Sequence, residues 1–134
     1  MRKIFFCARG KARNSGAGRR NITMKEGVTH QGSRDLLLGN NPSEELVNLY
    51  SNELQVTEST PKAFIVLSND DDVVPVRNSL DYAEALRNNN IPLSMHIYPE
   101  GGHGWGFNPE FKYHNLWIPE LLGWLNDLYP VNEK

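Results

Sequence analysis

The sequence has almost no cysteine, no long apolar run and no cluster of metal ligands. Its one cysteine, Cys7, excludes an internal disulfide and a cysteine-rich metal site. No apolar stretch approaches the roughly 20 residues that cross a bilayer, so we expect no membrane segment. The short apolar stretch after Lys3 is interrupted at Arg9, which is unlike a signal peptide and leaves the localisation undetermined. No two of its four histidines stand at metal-ligand spacing, and we predict neither a metal nor a cofactor.

A second absence concerns nucleophiles. A G-x-S-x-G pattern places a reactive serine on a tight turn between a strand and a helix, and no serine of this chain stands in one. Ser15 comes nearest, but Arg13 occupies the position that needs glycine and no apolar strand precedes it. Cys7 follows an apolar run, yet Ala8 and Arg9 do not form such a turn either. The sequence therefore predicts no nucleophile on a turn of this kind.

Charge is distributed unevenly along the chain. The net charge is -2 and the pI is near 6.1, which gives no reason to expect nucleic-acid binding by the whole molecule. The first twenty residues nevertheless contain no acidic side chain and seven basic ones: Arg2, Lys3, Arg9, Lys11, Arg13, Arg19 and Arg20. Such an arm suits an anionic surface, a disordered tail or residues foreign to the rest. We take 1–21 as a separate, disordered or non-native arm and 22–134 as one domain.

From residue 22 onward the pattern is that of an α/β protein. Strands are predicted at 22–24 (the end of one), 63–67 and 93–98, and helices at 43–50, 76–87 and 113–128, with 25–41 as a loop. Ser43 can cap the first helix, and the run at 63–67 is apolar throughout, as in a strand covered on both faces. Short strand-helix-strand connections favour a parallel sheet with flanking helices.

Two loops carry chemistry, because each follows a predicted strand of that sheet. The first contains Asp70, Asp71 and Asp72, and the second contains His103 between glycines. Carboxyl ends of parallel strands meet at one edge, where an acid can orient a histidine as a general base. Taken alone, the aspartate triplet is also compatible with a solvated turn before a helix, and His103 with a loop histidine that satisfies local hydrogen bonds. The remaining histidines, at positions 30, 96 and 114, are interpreted as structural or exposed.

The two loops resemble those of a known family. Residues 68–79 (SNDDDVVPVRNS) are similar to the acid loop, and residues 97–106 (IYPEGGHGWG) to the histidine loop, of α/β-hydrolases. The likeness is closest to bacterial acetylxylan and feruloyl-type sugar esterases and to prolyl-oligopeptidase-like serine hydrolases. It implies Asp71 as the relay acid, since Asp71 stands four residues before Pro75 as in the family pattern, and His103 as the base. Asp70 and Asp72 are the competing candidates for the acid. Trp105 is a weak candidate for substrate contact.

The resemblance also implies what this chain lacks. Family members are usually much longer, so we expect the C-terminal half of an α/β-hydrolase sheet, incomplete, without the serine turn or the oxyanion-binding loop. The implied activity is carboxylic-ester hydrolysis on a small ester or an acylated carbohydrate. The alternatives are an inactive remnant or binding module and a serine peptidase of the prolyl oligopeptidase type. An uncovered strand edge predicts self-association.

Overall fold

The structure is a computed structural model that describes residues 23–130 and the backbone of residues 4–7. Its elements in chain order are β1 (Ile4–Cys7), α1 (Gln31–Leu38), α2 (Glu44–Tyr50), a 3-10 helix (Asn52–Gln55), β2 (Ala63–Ser68), α3 (Val76–Asn88), β3 (Leu93–Tyr98) and α4 (His114–Leu128). Ser43 caps α2 as predicted, since its hydroxyl accepts a hydrogen bond from the Leu46 N–H at 3.3 Å.

The described strands form one sheet in the order β1-β2-β3. β2 and β3 are parallel, in a register that pairs Ala63 with Leu93 and Ser68 with Tyr98. β1 runs antiparallel to the other edge of β2. The predicted fold class, parallel strands with flanking helices, is confirmed. Because β2 and β3 run in the same direction, the loops that follow them leave the sheet at the same edge.

β2 is buried on both faces, which explains its uninterrupted apolar sequence. Ala63, Ile65 and Leu67 face a cluster that includes Leu86 of α3. Phe64 and Val66 point the opposite way. They pack in a second cluster that includes three further buried residues, namely Phe111, Trp117 and Leu121. α3 and α4 therefore cover opposite faces of β2, and this layered core holds the loop-bearing strand ends in place.

Two predictions for the region before residue 42 are wrong. The stretch taken as a loop contains α1, whose start is capped by the His30 Nδ1, which accepts a hydrogen bond from the Ser33 N–H at 3.1 Å. Thr23 and Met24 form no strand. Both are buried, and their N–H groups bond to side chains, Thr23 to the Asn78 Oδ1 at 3.0 Å and Met24 to the Ser51 Oγ at 2.9 Å. Long-range side-chain acceptors thus replace a strand partner.

The predicted boundary at residue 21 stays a prediction. Within the arm the structure describes only the backbone of Ile4–Cys7, which is a strand, and residues 1–3 and 8–22 lie outside the described residues. β3 is the terminal strand of the described sheet, and Ile97 on it is 42% exposed. Self-association through that edge also stays a prediction.

Candidate active site

The acid loop leaves the end of β2 and buries one of its three aspartates. Asp71 is 7% exposed, whereas Asp70 and Asp72 are exposed. The Asp71 Oδ1 accepts hydrogen bonds from the N–H groups of Val73 at 3.1 Å and Val74 at 2.8 Å. These bonds satisfy a carboxylate that is shielded from water and fix its orientation. Asp71 is thus the one loop carboxylate built into the protein interior.

The histidine loop begins in the last two residues of β3, and its residues 99–106 follow the carboxyl end of that strand. Its backbone takes positive φ at Gly101 (141°), Gly102 (61°) and Gly104 (80°), where L side chains are disfavoured. Gly101 is also sterically required. A Cβ there would lie 2.5 Å from the Phe111 ring and 2.7 Å from the Ser68 Oγ. This tight path carries His103 back over the acid loop.

The structure brings Asp71 and His103 together. The Nδ1 of His103 lies 3.0 Å from Oδ2 and 3.2 Å from Oδ1 of Asp71. The Asp71 side chain is 2% exposed and that of His103 is 20% exposed. A buried carboxylate against Nδ1 favours the tautomer that carries its proton there, so that Nε2 holds the lone pair. That arrangement can orient an imidazole as a proton acceptor.

The exposed side chain of Asp70 binds the backbone of the histidine loop. Its Oδ1 accepts the Gly102 N–H at 2.9 Å and its Oδ2 the Gly101 N–H at 3.1 Å. Chiefly the Gly102 bond, with help from Gly101, holds the pKa of the Asp70 carboxyl below its ordinary value. Asp70, one of the two aspartates that competed with Asp71 in the sequence, therefore has a different set of partners.

Ser68 was not singled out from the sequence, and it joins both loops. Its buried hydroxyl accepts the Trp105 indole N–H at 2.7 Å and donates to the Glu100 carbonyl at 3.4 Å. Trp105 also stacks on Phe111, with ring centroids 3.8 Å apart. Trp105 is half-buried, and these contacts suffice to explain its position. A contact with substrate stays a prediction. The sequence feature that could have pointed to Ser68 is its position as the one polar residue at the end of the apolar strand β2.

A second site feature that the sequence did not suggest is an ion pair at the base of the loop. The Glu100 carboxylate accepts a hydrogen bond from the Lys112 ammonium group. This bond holds the pKa of the Glu100 carboxyl below its ordinary value and raises the pKa of Lys112. Both side chains are exposed, so water and salt screen their attraction. The pair connects the histidine loop to the segment before α4.

The sequence also led to expectations about the remaining histidines, about metal sites and about membrane segments. His96 Nε2 lies 2.9 Å from the Ser94 hydroxyl and its ring stacks on Phe64, while His30 caps α1, so both make structural contacts. His114 packs against Trp117. Within residues 23–130 no three metal-ligating side chains group together. None of the described helices is both long and apolar enough for a membrane span.

Gly101→Ala is expected to destabilise the chain by about 3 kcal/mol, because the new methyl group would overlap Phe111 and Ser68 at a strained φ. Gly102→Ala is the matched control. It has positive φ but nothing within 4 Å of its Cβ, so a loss of about 1 kcal/mol is expected. Urea unfolding of both variants measures the difference. Equal losses would show that backbone strain alone, and not the close approach, requires glycine at 101.

Comparison with known proteins places the chain in a family. Residues 21–129 match the profile of the prolyl oligopeptidase family. The chain belongs to that family. It is 39% identical over 111 residues to an acetylxylan esterase of Xylanibacter ruminicola, covering 80% of this chain and 23% of that protein. It is 45% identical over 76 residues to the endo-1,4-β-xylanase B of Butyrivibrio fibrisolvens, covering 57% of this chain and 12% of that protein.

A solved structure agrees with the sequence relatives. The acetyl ester-xyloside bifunctional hydrolase of Caldicellulosiruptor lactoaceticus superposes with a TM-score of 0.77 at 35% identity, over 82% of this chain and 40% of that one. The predicted resemblance to acetylxylan esterases and prolyl-oligopeptidase-like α/β-hydrolases is confirmed. The chain spans about a quarter of the acetylxylan esterase and a smaller share of the xylanase.

Proposed function

We propose that this chain supplies the acid and the base of a serine carboxylic-ester hydrolase that acts on acetylated, xylan-derived sugars. The observation that carries the proposal is the contact of the His103 Nδ1 with the buried Asp71 carboxylate. In the proposed reaction the Nε2 of His103 takes the proton of a serine hydroxyl as its oxygen attacks the ester carbonyl. Asp71 keeps the imidazole in the required tautomer and stabilises the imidazolium that forms.

The substrate class rests on the relatives. Two curated proteins and one solved structure with xylan or xyloside in their names each match this chain at 35% identity or more. Acetylxylan carries its acyl groups as sugar esters, and a carboxylate-oriented histidine is suited to acyl transfer from such esters. The serine and the groups that stabilise the oxyanion are not recognisable in this sequence, and we propose that the chain works with residues that it does not itself provide.

The test is a graft. Residues 21–129 replace the matching segment of the Xylanibacter ruminicola acetylxylan esterase, and release of acetate from acetylated xylan is measured. The grafted enzyme is expected to be active, and His103→Ala within the graft is expected to lower kcat/KM by at least about 10³-fold. The matched control is His96→Ala. The ring of His96 lies 2.9 Å from the Ser94 hydroxyl and is not part of the proposed relay. A folded graft in which His103→Ala keeps full activity would overturn the proposal.

A peptidase is the second candidate, because the family profile that matches residues 21–129 is that of prolyl oligopeptidases. The same acid and base serve amide hydrolysis equally well. The 134-residue chain and the graft are therefore both assayed with a fluorophosphonate probe, p-nitrophenyl acetate and a peptide that ends in proline. Labelling of a serine in the chain by itself would contradict the predicted absence of a nucleophile. Turnover of the peptide alone would favour the peptidase.

A further inference from the structure

We propose that Asp70 and Ser68 are positioning residues, which hold the histidine loop so that the His103 Nδ1 stays against Asp71. The inference rests on the proposed function and adds two residues to it. Neither side chain would touch the substrate. Each acts through the backbone or a neighbouring side chain of the loop that carries the base.

The first argument is the distribution of contacts. Three side chains near the carboxyl end of β2, those of Ser68, Asp70 and Asp71, each bind the histidine loop at different points. Ser68 reaches its two ends, at the Glu100 carbonyl and the Trp105 indole. Asp70 binds the two consecutive N–H groups of Gly101 and Gly102, and Asp71 binds the imidazole. The loop is thus fastened on both sides of His103 by the same strand end that presents the acid.

The second argument is the composition of the loop. Glycines at 101, 102 and 104 allow the tight path but also give the free loop many alternative conformations. A general base has to be held to within a fraction of an ångström, so these conformations must be removed by bonds. Hydrogen bonds to a carboxylate are stronger than those to a neutral acceptor, and Asp70 accepts two of them. An exposed carboxylate that served only to keep the surface soluble would need neither of these two hydrogen bonds.

The experiment uses the full chain, labelled with ¹⁵N, and reads the tautomer of His103 from its ring nitrogen shifts. The unmodified chain is expected to show one tautomer, with the proton on Nδ1. Asp70→Ala is expected to mix the tautomers and to speed hydrogen exchange of the Gly102 amide about tenfold. Ser68→Ala is expected to loosen the loop in the same way. Asp70→Asn retains one oxygen acceptor and is expected to recover part of the single tautomer and of the slow Gly102 exchange that Asp70→Ala loses. The His103 tautomer is the readout that a merely structural role for Asp70 would leave unchanged.

Asp72→Ala is the matched control, since Asp72 is an exposed aspartate of the same loop. The resonances of His96 and His114 serve as internal references in every variant. A fixed His103 tautomer and unchanged Gly102 exchange in Asp70→Ala would overturn the positioning role while leaving the proposed function intact. A mixed tautomer in the unmodified chain would instead overturn the Asp71–His103 pair on which the proposed function rests.

A pH titration tests the two hydrogen bonds from the Gly101 and Gly102 N–H groups to Asp70 without any substitution. Because the Asp70 pKa is depressed in the folded chain, its bonds contribute stability above the ordinary aspartate pKa of about 3.9. That contribution is lost as the pH falls through the depressed value. The Gly102 amide shift is expected to titrate with a midpoint below about 3.9. A midpoint at or above the ordinary value would contradict the proposed bonding of Asp70 to the loop, even if the Asp70 variants failed to fold.

Discussion

Asp71→Asn is expected to lower kcat for acetyl-ester hydrolysis by about 10⁴-fold in the grafted esterase, with KM little changed. Asparagine keeps the size and the two backbone hydrogen bonds of Asp71 at Val73 and Val74. It removes the charge that would stabilise the imidazolium, and its amide can donate to Nδ1, which selects the wrong tautomer. The loss would therefore appear in the chemical step. Steady-state kinetics on acetylated xylan and on p-nitrophenyl acetate measure it.

Asp72→Asn provides the control for that prediction. It removes one negative charge from the same loop, but the side chain is exposed and one residue away from the buried acid. A change of less than about threefold is expected, since an exposed charge is strongly screened. Equal losses in Asp71→Asn and Asp72→Asn would show that the loop's net charge matters. Such a result would contradict the role proposed for Asp71.

Trp117→Ala is expected to destabilise the 134-residue chain by about 3–5 kcal/mol. Trp117 of α4 is fully buried beneath Phe64 and Val66 of β2, where it contacts the ring of Trp105. Its removal leaves a cavity that close-packed neighbours fill only in part. The same cluster supports the histidine loop through Trp105. Urea unfolding followed by circular dichroism measures the loss.

Leu122→Ala is the control on the same helix, because Leu122 is 54% exposed and its truncation leaves no buried cavity. A loss of less than about 1 kcal/mol is expected there. Trp117→Phe should cost about 1–2 kcal/mol, less than alanine. The buried indole N–H of Trp117 has no partner among the residues that the structure describes, so phenylalanine gives up volume without losing a hydrogen bond. Similar losses at 117 and 122 would contradict the assignment of Trp117 to the core.

Elements with a strong local pattern were predictable. Helix α3 was expected over 76–87 and spans Val76–Asn88, and β3 was expected and found over Leu93–Tyr98. Helix α1 was missed because its sequence has a weak apolar stripe, with Leu36 92% exposed and only Leu38 buried. Its capping residue is a histidine, which is outside the usual set of serine, threonine, asparagine and aspartate.

Residues 23–24 show a different limit. The sequence predicted the end of a strand over 22–24, but the backbone of residues 23 and 24 is held by Asn78 and Ser51, 55 and 27 residues away in sequence. No local sequence pattern predicts that the Asn78 and Ser51 side chains accept these hydrogen bonds. A buried asparagine on α3 was thus a structural determinant that periodicity could not detect.

The candidate site divides along similar lines. The order of an acid loop and a glycine-rich histidine loop was visible in the sequence, and so was the family that they resemble. Choosing Asp71 over Asp70 rested on that resemblance, whereas burial and hydrogen bonding give the two side chains different partners in the structure. Ser68 was overlooked, because its partners Glu100 and Trp105 lie more than thirty residues away.

The alternation of strands and helices can be read from the sequence, and so can an acid loop and a histidine loop that each come directly after a strand. The sequence also establishes that no serine stands in a G-x-S-x-G pattern. Three contacts are visible only in the folded chain: Asp71 lies against His103, Asp70 binds the loop backbone and Trp105 is bonded to Ser68. Local patterns record which face of an element is apolar, whereas the pairing of two loops depends on parallel strand register and on close packing between residues distant in sequence.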